Sequence, residues 1–183
     1  RGKEFLTALL HVPPEKITPV QDRETLSLGD RTLEFRHAPW VHWPETMFTY
    51  LREERILFTC DLFGSHYASE KPFVEELGRV YWAAKRYYAE IMMPFRKTVQ
   101  KNLEKIRDLD IRLIAPSHGQ VYREPQSIIG AYRDWTDDKP RNSVVLPWVS
   151  MHGSTAMMVE RLIAALAGRG VAVHPFNMSV ADI

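Results

Sequence analysis

The chain has 183 residues, 45% of them hydrophobic and 26% charged, which is ordinary for a folded protein and too apolar for a disordered one. Twenty-four Lys and Arg against 23 Asp and Glu leave a net charge of +1, so no basic surplus points to nucleic acid or an anionic membrane. The single cysteine, Cys60, excludes an intrachain disulfide framework and a cysteine-only metal cluster and fits a reducing, cytoplasmic setting, and no apolar run nears the roughly 20 residues that a bilayer span needs.

The first residues, Arg1 to Phe5, show no initiator methionine and no signal-peptide pattern, and the chain is expected to begin inside a longer one. Phe5, Leu6, Leu9 and Leu10 repeat at helical spacing and predict a helix end, followed by a Pro-rich loop from His11 to Pro19. Thr25 to Leu28 and Thr32 to Phe35 alternate on either side of Gly29-Asp30, which predicts a hairpin. Thr46 to Leu51 and Arg55 to Cys60 predict a second strand pair turning at Glu53-Glu54, with both faces buried near Ile56 to Phe58.

From Phe73 the period changes. Val74, Leu77, Val80, Tyr81, Ala84, Tyr88 and Ile91 predict a long amphipathic helix that Pro94 interrupts, and Val99, Leu103 and Ile106 a second one. Ile111 to Ala115 reads as a strand, Ser127 to Trp135 as a helix and Thr136 to Asn142 as a linker. The grammar then restarts with a strand over Ser143 to Val149, a Gly-containing loop, a helix over Ala156 to Ala167 and a strand over Val171 to Pro175. This is the opening of a parallel α/β sheet.

Three potential metal ligands stand after strand-like runs or in the loops beside them: His42, Asp61 and His118. Imidazole nitrogen with a carboxylate able to bridge suits a dinuclear iron site or a hydrolytic zinc site, and loop tips above packed strands hold such ligands while leaving a coordination position open. Singly, each is ordinary: a loop histidine is usually a surface residue, and an aspartate after a strand is usually a turn former. His66 follows Asp61 by five residues and could stand beside the metals or face substrate. His11, His37 and His174 carry no spacing argument. Strand alternation would turn Cys60 away from Asp61 into the core, and Met92, Met93, Met157 and Met158 read as helix packing. Trp40 and Trp43 flank His42, as walls of a pocket or as cover for the sheet.

His42-Trp-Pro-Glu-Thr-Met-Phe-Thr-Tyr50, Phe58-Thr-Cys-Asp-Leu-Phe-Gly-Ser-His66 and Ala115-Pro-Ser-His-Gly119 resemble, in one order, the metallo-β-lactamase-like domain of the flavodiiron proteins, or A-type flavoproteins. Ala84 to Phe95 is similar to a long helix of the same family, and Ser150-Met151-His152-Gly153-Ser154-Thr155 resembles the FMN phosphate loop of its flavodoxin-like domain. Gly153 permits close backbone approach, Ser150, Ser154 and Thr155 offer hydroxyls, and a following helix would aim its amides at a phosphate.

The resemblance implies an α/β chain: the C-terminal part of a metallo-β-lactamase-like αββα sandwich over 1–138, then the start of a flavodoxin-like doubly wound domain over 143–183. It implies iron ligation by His42 and His118 with Asp61 as the bridging carboxylate, FMN at residues 150–155, and two non-haem iron ions. The implied activity is electron transfer from FMN to the diiron centre to reduce O2 to water or NO to N2O. The implied donor is rubredoxin or a reduced deazaflavin, and the implied assembly a head-to-tail homodimer or a homotetramer, with no nucleic acid and no membrane. The family's upstream His-x-Glu-x-Asp-His motif is absent from these 183 residues, the second sheet stops after two strands, and Pro147 sits inside an expected central strand. A zinc-dependent hydrolase of the metallo-β-lactamase superfamily and a non-catalytic fragment are the competing readings.

Overall fold

The computed structural model describes residues 1–139 and 141–180; Pro140 in the expected linker and the last three residues of the expected second domain lie outside these. The chain divides into two compact units, Arg1–Asp137 and Asp138–Ile183.

The first unit runs α1 (Gly2–Leu10), β1 (Thr25–Ser27), β2 (Thr32–His37), β3 (Met47–Leu51), β4 (Ile56–Phe58), α2 (Leu77–Tyr87), α3 (Arg96–Lys105), β5 (Leu113–Ala115) and α4 (Pro125–Thr136). Its sheet has the order β1-β2-β3-β4-β5. The first four strands form an antiparallel meander, whose first turn rests on Gly29 at φ +96°, and β5 joins β4 in parallel after the crossover through α2 and α3. Phe48, Tyr50, Leu57 and Ile114 line the inner face and pack with Val80, Ala84, Tyr87, Val99 and Leu103 of the crossover helices and Ile128 and Tyr132 of α4. Each such side chain contributes about 2 kcal/mol on leaving water.

Two expectations need correction here. The apolar run Ile56 to Phe58 is not buried on both faces: Leu57 is fully buried, but Phe58 points outward and is 44% exposed, because the helices cover one side only. The long helix does not start at Phe73. Phe73 bridges Val121 and the Val74 amide donates to the Val121 carbonyl at 3.0 Å, so this backbone is spent on strand-like pairing and α2 begins at Leu77. Between α2 and α3 the chain passes through a π turn, Tyr88–Met92, and a 3-10 turn, Met93–Phe95, where Pro94 removes an amide that a continuous helix would need.

On β2, the buried side chains of Glu34 and Arg36 stand two residues apart on one face. Glu34 accepts from Arg36 at 2.5 Å and from Arg52 at 2.6 Å, and Arg36 reaches Asp108 at 3.2 Å and the Lys105 carbonyl at 3.1 Å. This network ties the end of α3 to the sheet.

The second unit consists of β6 (Ser143–Trp148), α5 (Ser154–Ala167) and β7 (Ala172–Asn177), with β6 and β7 parallel and Pro147 opposite Phe176. Among the described residues β6 has one neighbouring strand, and Pro147 is exposed, so its missing amide proton interrupts no second ladder. Met157 and Met158 are exposed on α5, as is Met93 in the first unit; of the four methionines read as helix packing, Met92 alone is buried.

Candidate metal centre and flavin loop

Each potential ligand is held by a short, internally bonded loop. After β2 the chain turns at Trp40, whose amide donates to the Trp43 carbonyl at 2.7 Å, while the Ala38 amide donates to the Thr46 carbonyl at 2.9 Å; His42 sits at the tip. After β4 the Thr59 hydroxyl donates to the Leu62 carbonyl at 2.6 Å and the Gly64 amide to the Asp61 carbonyl at 3.0 Å, which fixes Asp61. Two backbone bonds stitch this loop to the one carrying His118: Ser117 amide to Cys60 carbonyl, 2.7 Å, and Ser65 amide to His118 carbonyl, 3.1 Å.

The result brings three remote residues together. His42 Nε2 lies 3.4 Å from Asp61 Oδ2, and His118 Nε2 lies 3.3 Å from Asp61 Oδ1, so one carboxylate presents its two oxygens to two different imidazoles. The side chains are 28%, 16% and 48% exposed for His42, Asp61 and His118, so the cluster opens to solvent. Two ligand atoms each about 2.1 Å from one ion at a tetrahedral angle stand about 3.4 Å apart, so each nitrogen–oxygen pair spans a gap of the right width for a metal ion. Among the described residues no three His, Cys, Asp or Glu side chains converge on one point. Two donors are short of the four that such an ion takes, so the residues fit part of a dinuclear site and not all of it.

Rings surround these groups. The Trp43 ring lies 5.6 Å from His42, and Phe95 lies 6.4 Å from both His42 and Trp40. His66 is exposed and meets His118 edge-on at 5.7 Å and Tyr87 at 4.9 Å, while Tyr87 lies 5.9 Å from His118. Burial and the nearby Asp61 charge push the Tyr87 phenol well above its ordinary range. Tyr87 and Phe95 go unmarked in the helical pattern; the only signal for them is that both lie in the stretch resembling the family's long helix. Cys60 is not a strand residue: it sits at φ +48°, half-buried, its thiol donating to the Met47 carbonyl at 3.2 Å, and burial raises its pKa. A cavity of about 850 Å³ lies elsewhere, between α1 and the loop containing Ile17 and Val20.

In the second unit, Gly153 takes φ +83° and leads into α5, whose first turn has no side-chain cap. The Ser150 hydroxyl beside it is buried without a hydrogen-bond partner. Met151 and His152 are exposed at the tip, and Ser154 and Thr155 open the helix. An uncapped helix start, a positive-φ glycine and an orphaned hydroxyl are what a phosphate would complete.

A family model described as ODP family beta lactamase matches residues 3–119. The chain is 39% identical over 170 residues to a nitric oxide reductase of Moorella thermoacetica, covering 90% of this chain and 43% of the relative. Among solved structures it is similar to the rubredoxin oxygen:oxidoreductase of Desulfovibrio gigas, with a TM-score of 0.85, 27% identity, and coverage of 98% of this chain and 47% of the other. It is also similar to the flavodiiron protein of Giardia intestinalis, with a TM-score of 0.83, 32% identity and coverage of 98% and 45%. The chain thus spans under half the length of the relatives it matches.

Proposed function

We propose, for a chain that belongs to the ODP beta-lactamase family and within it to the flavodiiron proteins, that residues 1–138 supply one side of a dinuclear iron site and residues 143–183 the phosphate end of an FMN site, in an oxidoreductase that reduces O2 to water or NO to N2O. The observation that carries this reading is the single carboxylate of Asp61 shared between His42 and His118. Bound there, an iron pair supplies two adjacent redox-active coordination positions for a diatomic substrate. Asp61 places one negative charge between the two positions and so offsets the repulsion of two cations held close together. His42 and His118 each offer an Nε2, and their surrounding loops fix the direction in which it points. Trp43 and Phe95 cover the His42 side with apolar surface, while His66 and the protonated Tyr87 phenol line the His118 side.

Ser150, Ser154 and Thr155 would hold the FMN phosphate with the amides of α5, while Gly153 lets the backbone approach it and Met151 and His152 flank it. The electron donor fitting this reading is rubredoxin or a reduced deazaflavin, and the assembly a homodimer or homotetramer. Metal and flavin analysis of the full-length protein, followed by anaerobic reduction and addition of O2 or NO, tests it. About two irons and one FMN per chain, with oxidation of the reduced flavin by either gas, is the expected result. Stoichiometric zinc with hydrolytic activity and no flavin would place the chain among the hydrolases instead.

A further inference from the structure

Three buried hydroxyls lie where the Asp61 loop, the His118 loop and α4 pack together. Ser65 and Tyr122 are each 1% exposed and Tyr132 is fully buried, yet none of the three oxygens has a hydrogen-bond partner among the described residues. Backbone bonds hold their supports in place. The Ser65 amide donates to the His118 carbonyl at 3.1 Å, and Tyr122 exchanges two backbone bonds with Ile114 of β5, at 2.9 and 3.1 Å. A Cβ on Gly119 would run into the Ser65 hydroxyl, and the Tyr132 ring meets Phe63, two residues before Ser65, edge-on at 4.9 Å. Burial pushes both phenols above their ordinary range. The Ser65 hydroxyl pulls Tyr122 back down and the Tyr122 phenol pushes Tyr132 further up, which puts the three groups within reach of one another. Packing explains the two buried rings but not their hydroxyls, because phenylalanine would fill the same space without burying an unpaired polar group. A guest that satisfies three hydroxyls must both donate and accept, and it must carry no charge that would need an opposite one. Water has these properties, and a buried water typically takes about three polar partners.

We propose that Ser65, Tyr122 and Tyr132 hold one internal water molecule, and that this water locks α4 to the two loops carrying Asp61 and His118. Ser65 is then fixed at both ends, its amide by the His118 carbonyl and its hydroxyl by the water. Tyr122 and Tyr132 are positioning residues that act on the loops through the water. The site needs neither metal nor flavin, so it stands or falls apart from the function proposed above.

A crystal structure of the full-length protein, at a resolution that shows ordered water, tests the site directly. Density for one water at about 2.7–3.2 Å from all three oxygens is expected. Hydroxyls bonded straight to one another, or no density between them, overturns the proposal. Tyr132→Phe then gives a test by sign, since it keeps the ring and deletes one partner. With the water bound, the variant loses a hydrogen bond and its melting temperature should fall by about 2–4 °C. With the hydroxyl unpartnered, the same change removes an unsatisfied group, so an unchanged or raised melting temperature counts against the water. Ser65→Ala should repeat the fall. Hydrogen exchange separates positioning from general stability. In Tyr132→Phe the Ser65 amide should exchange about twofold to tenfold faster, while the Ala38 amide, bonded to the Thr46 carbonyl in the His42 loop, keeps its rate. Equal acceleration at both amides, or none at Ser65, removes the positioning role.

Discussion

A Cβ placed on Gly119 would stand 2.9 Å from the Ser65 carbonyl oxygen and run into the Ser65 side chain. Gly119 follows one histidine of the cluster and Ser65 precedes His66, so this close approach clamps the Asp61 and His118 loops together. The backbone at Gly119 is also left-handed, at φ +83°. Both facts forbid a side chain. Gly119→Ala is expected to cost about 1–3 kcal/mol from the backbone strain alone, with the contact added to that. The contact pushes apart the bond from the Ser65 amide to the His118 carbonyl, so iron content should fall along with the melting temperature. Unchanged iron in a protein that still folds would show that the clamp does not position the cluster.

Asp61 and His118 should differ in what their removal does. His118→Ala deletes one donor from one of the two proposed ion positions, so the expected loss is about one iron per chain. Asp61→Asn keeps the shape but removes the charge that both positions share, so both irons should weaken together. Metal analysis of the two variants in the full-length protein separates these outcomes. Equal retention of both irons in Asp61→Asn would remove the carboxylate from its bridging role.

Local signals made much of the first unit legible. Alternation around Gly29-Asp30 and the polar turn at Glu53-Glu54 mark the β1-β2 and β3-β4 hairpins because a hairpin is written in consecutive residues. The start of α2 was not legible, because Phe73 and Val74 carry helical spacing yet pair with Val121, a partner remote in sequence. The outward Phe58 has the same cause: an apolar run looks alike whether one face or two are covered, and what covers it lies elsewhere in the chain. The meeting of His42, Asp61 and His118 follows from strand order, which no spacing encodes; only the resemblance of their flanking residues suggested it. The ion network on β2 has no local signature, because Glu34 and Arg36 look like ordinary strand charges until Arg52 and Asp108 are folded against them.

That network sets a pH dependence. Burial raises the Glu34 pKa, but the hydrogen bonds from Arg52 and Arg36 outweigh it and hold the carboxyl below the usual range. Asp108 is lowered as well, chiefly by its hydrogen bond to Arg36. A depressed folded pKa means stability that is fully present above the ordinary carboxylate range, about pH 4, and lost as pH falls below it through the folded values. Denaturant titrations from neutral pH to about pH 3 should show a decline in stability that Glu34→Gln reduces. At neutral pH the same substitution leaves the buried Arg36 without its nearest anion and should cost about 3 kcal/mol. A loss below about 1 kcal/mol would assign the network to the surface, where ion pairs contribute little.

Ser150 offers a test in which stability and binding part company. Its hydroxyl is buried and unpartnered in the chain by itself, so it costs free energy there. Ser150→Ala removes an unsatisfied group and should leave the melting temperature of flavin-free protein unchanged or slightly raised. If the hydroxyl instead bonds the FMN phosphate, the same change removes a hydrogen bond to a charged group, which contributes about 1.5–3 kcal/mol, or about a tenfold to hundredfold rise in the Kd for FMN. Calorimetric titration of the full-length protein with FMN measures the second quantity, and a thermal melt of the flavin-free form measures the first. A destabilised protein with undiminished FMN affinity would mean that Ser150 serves the turn before α5 and not the phosphate.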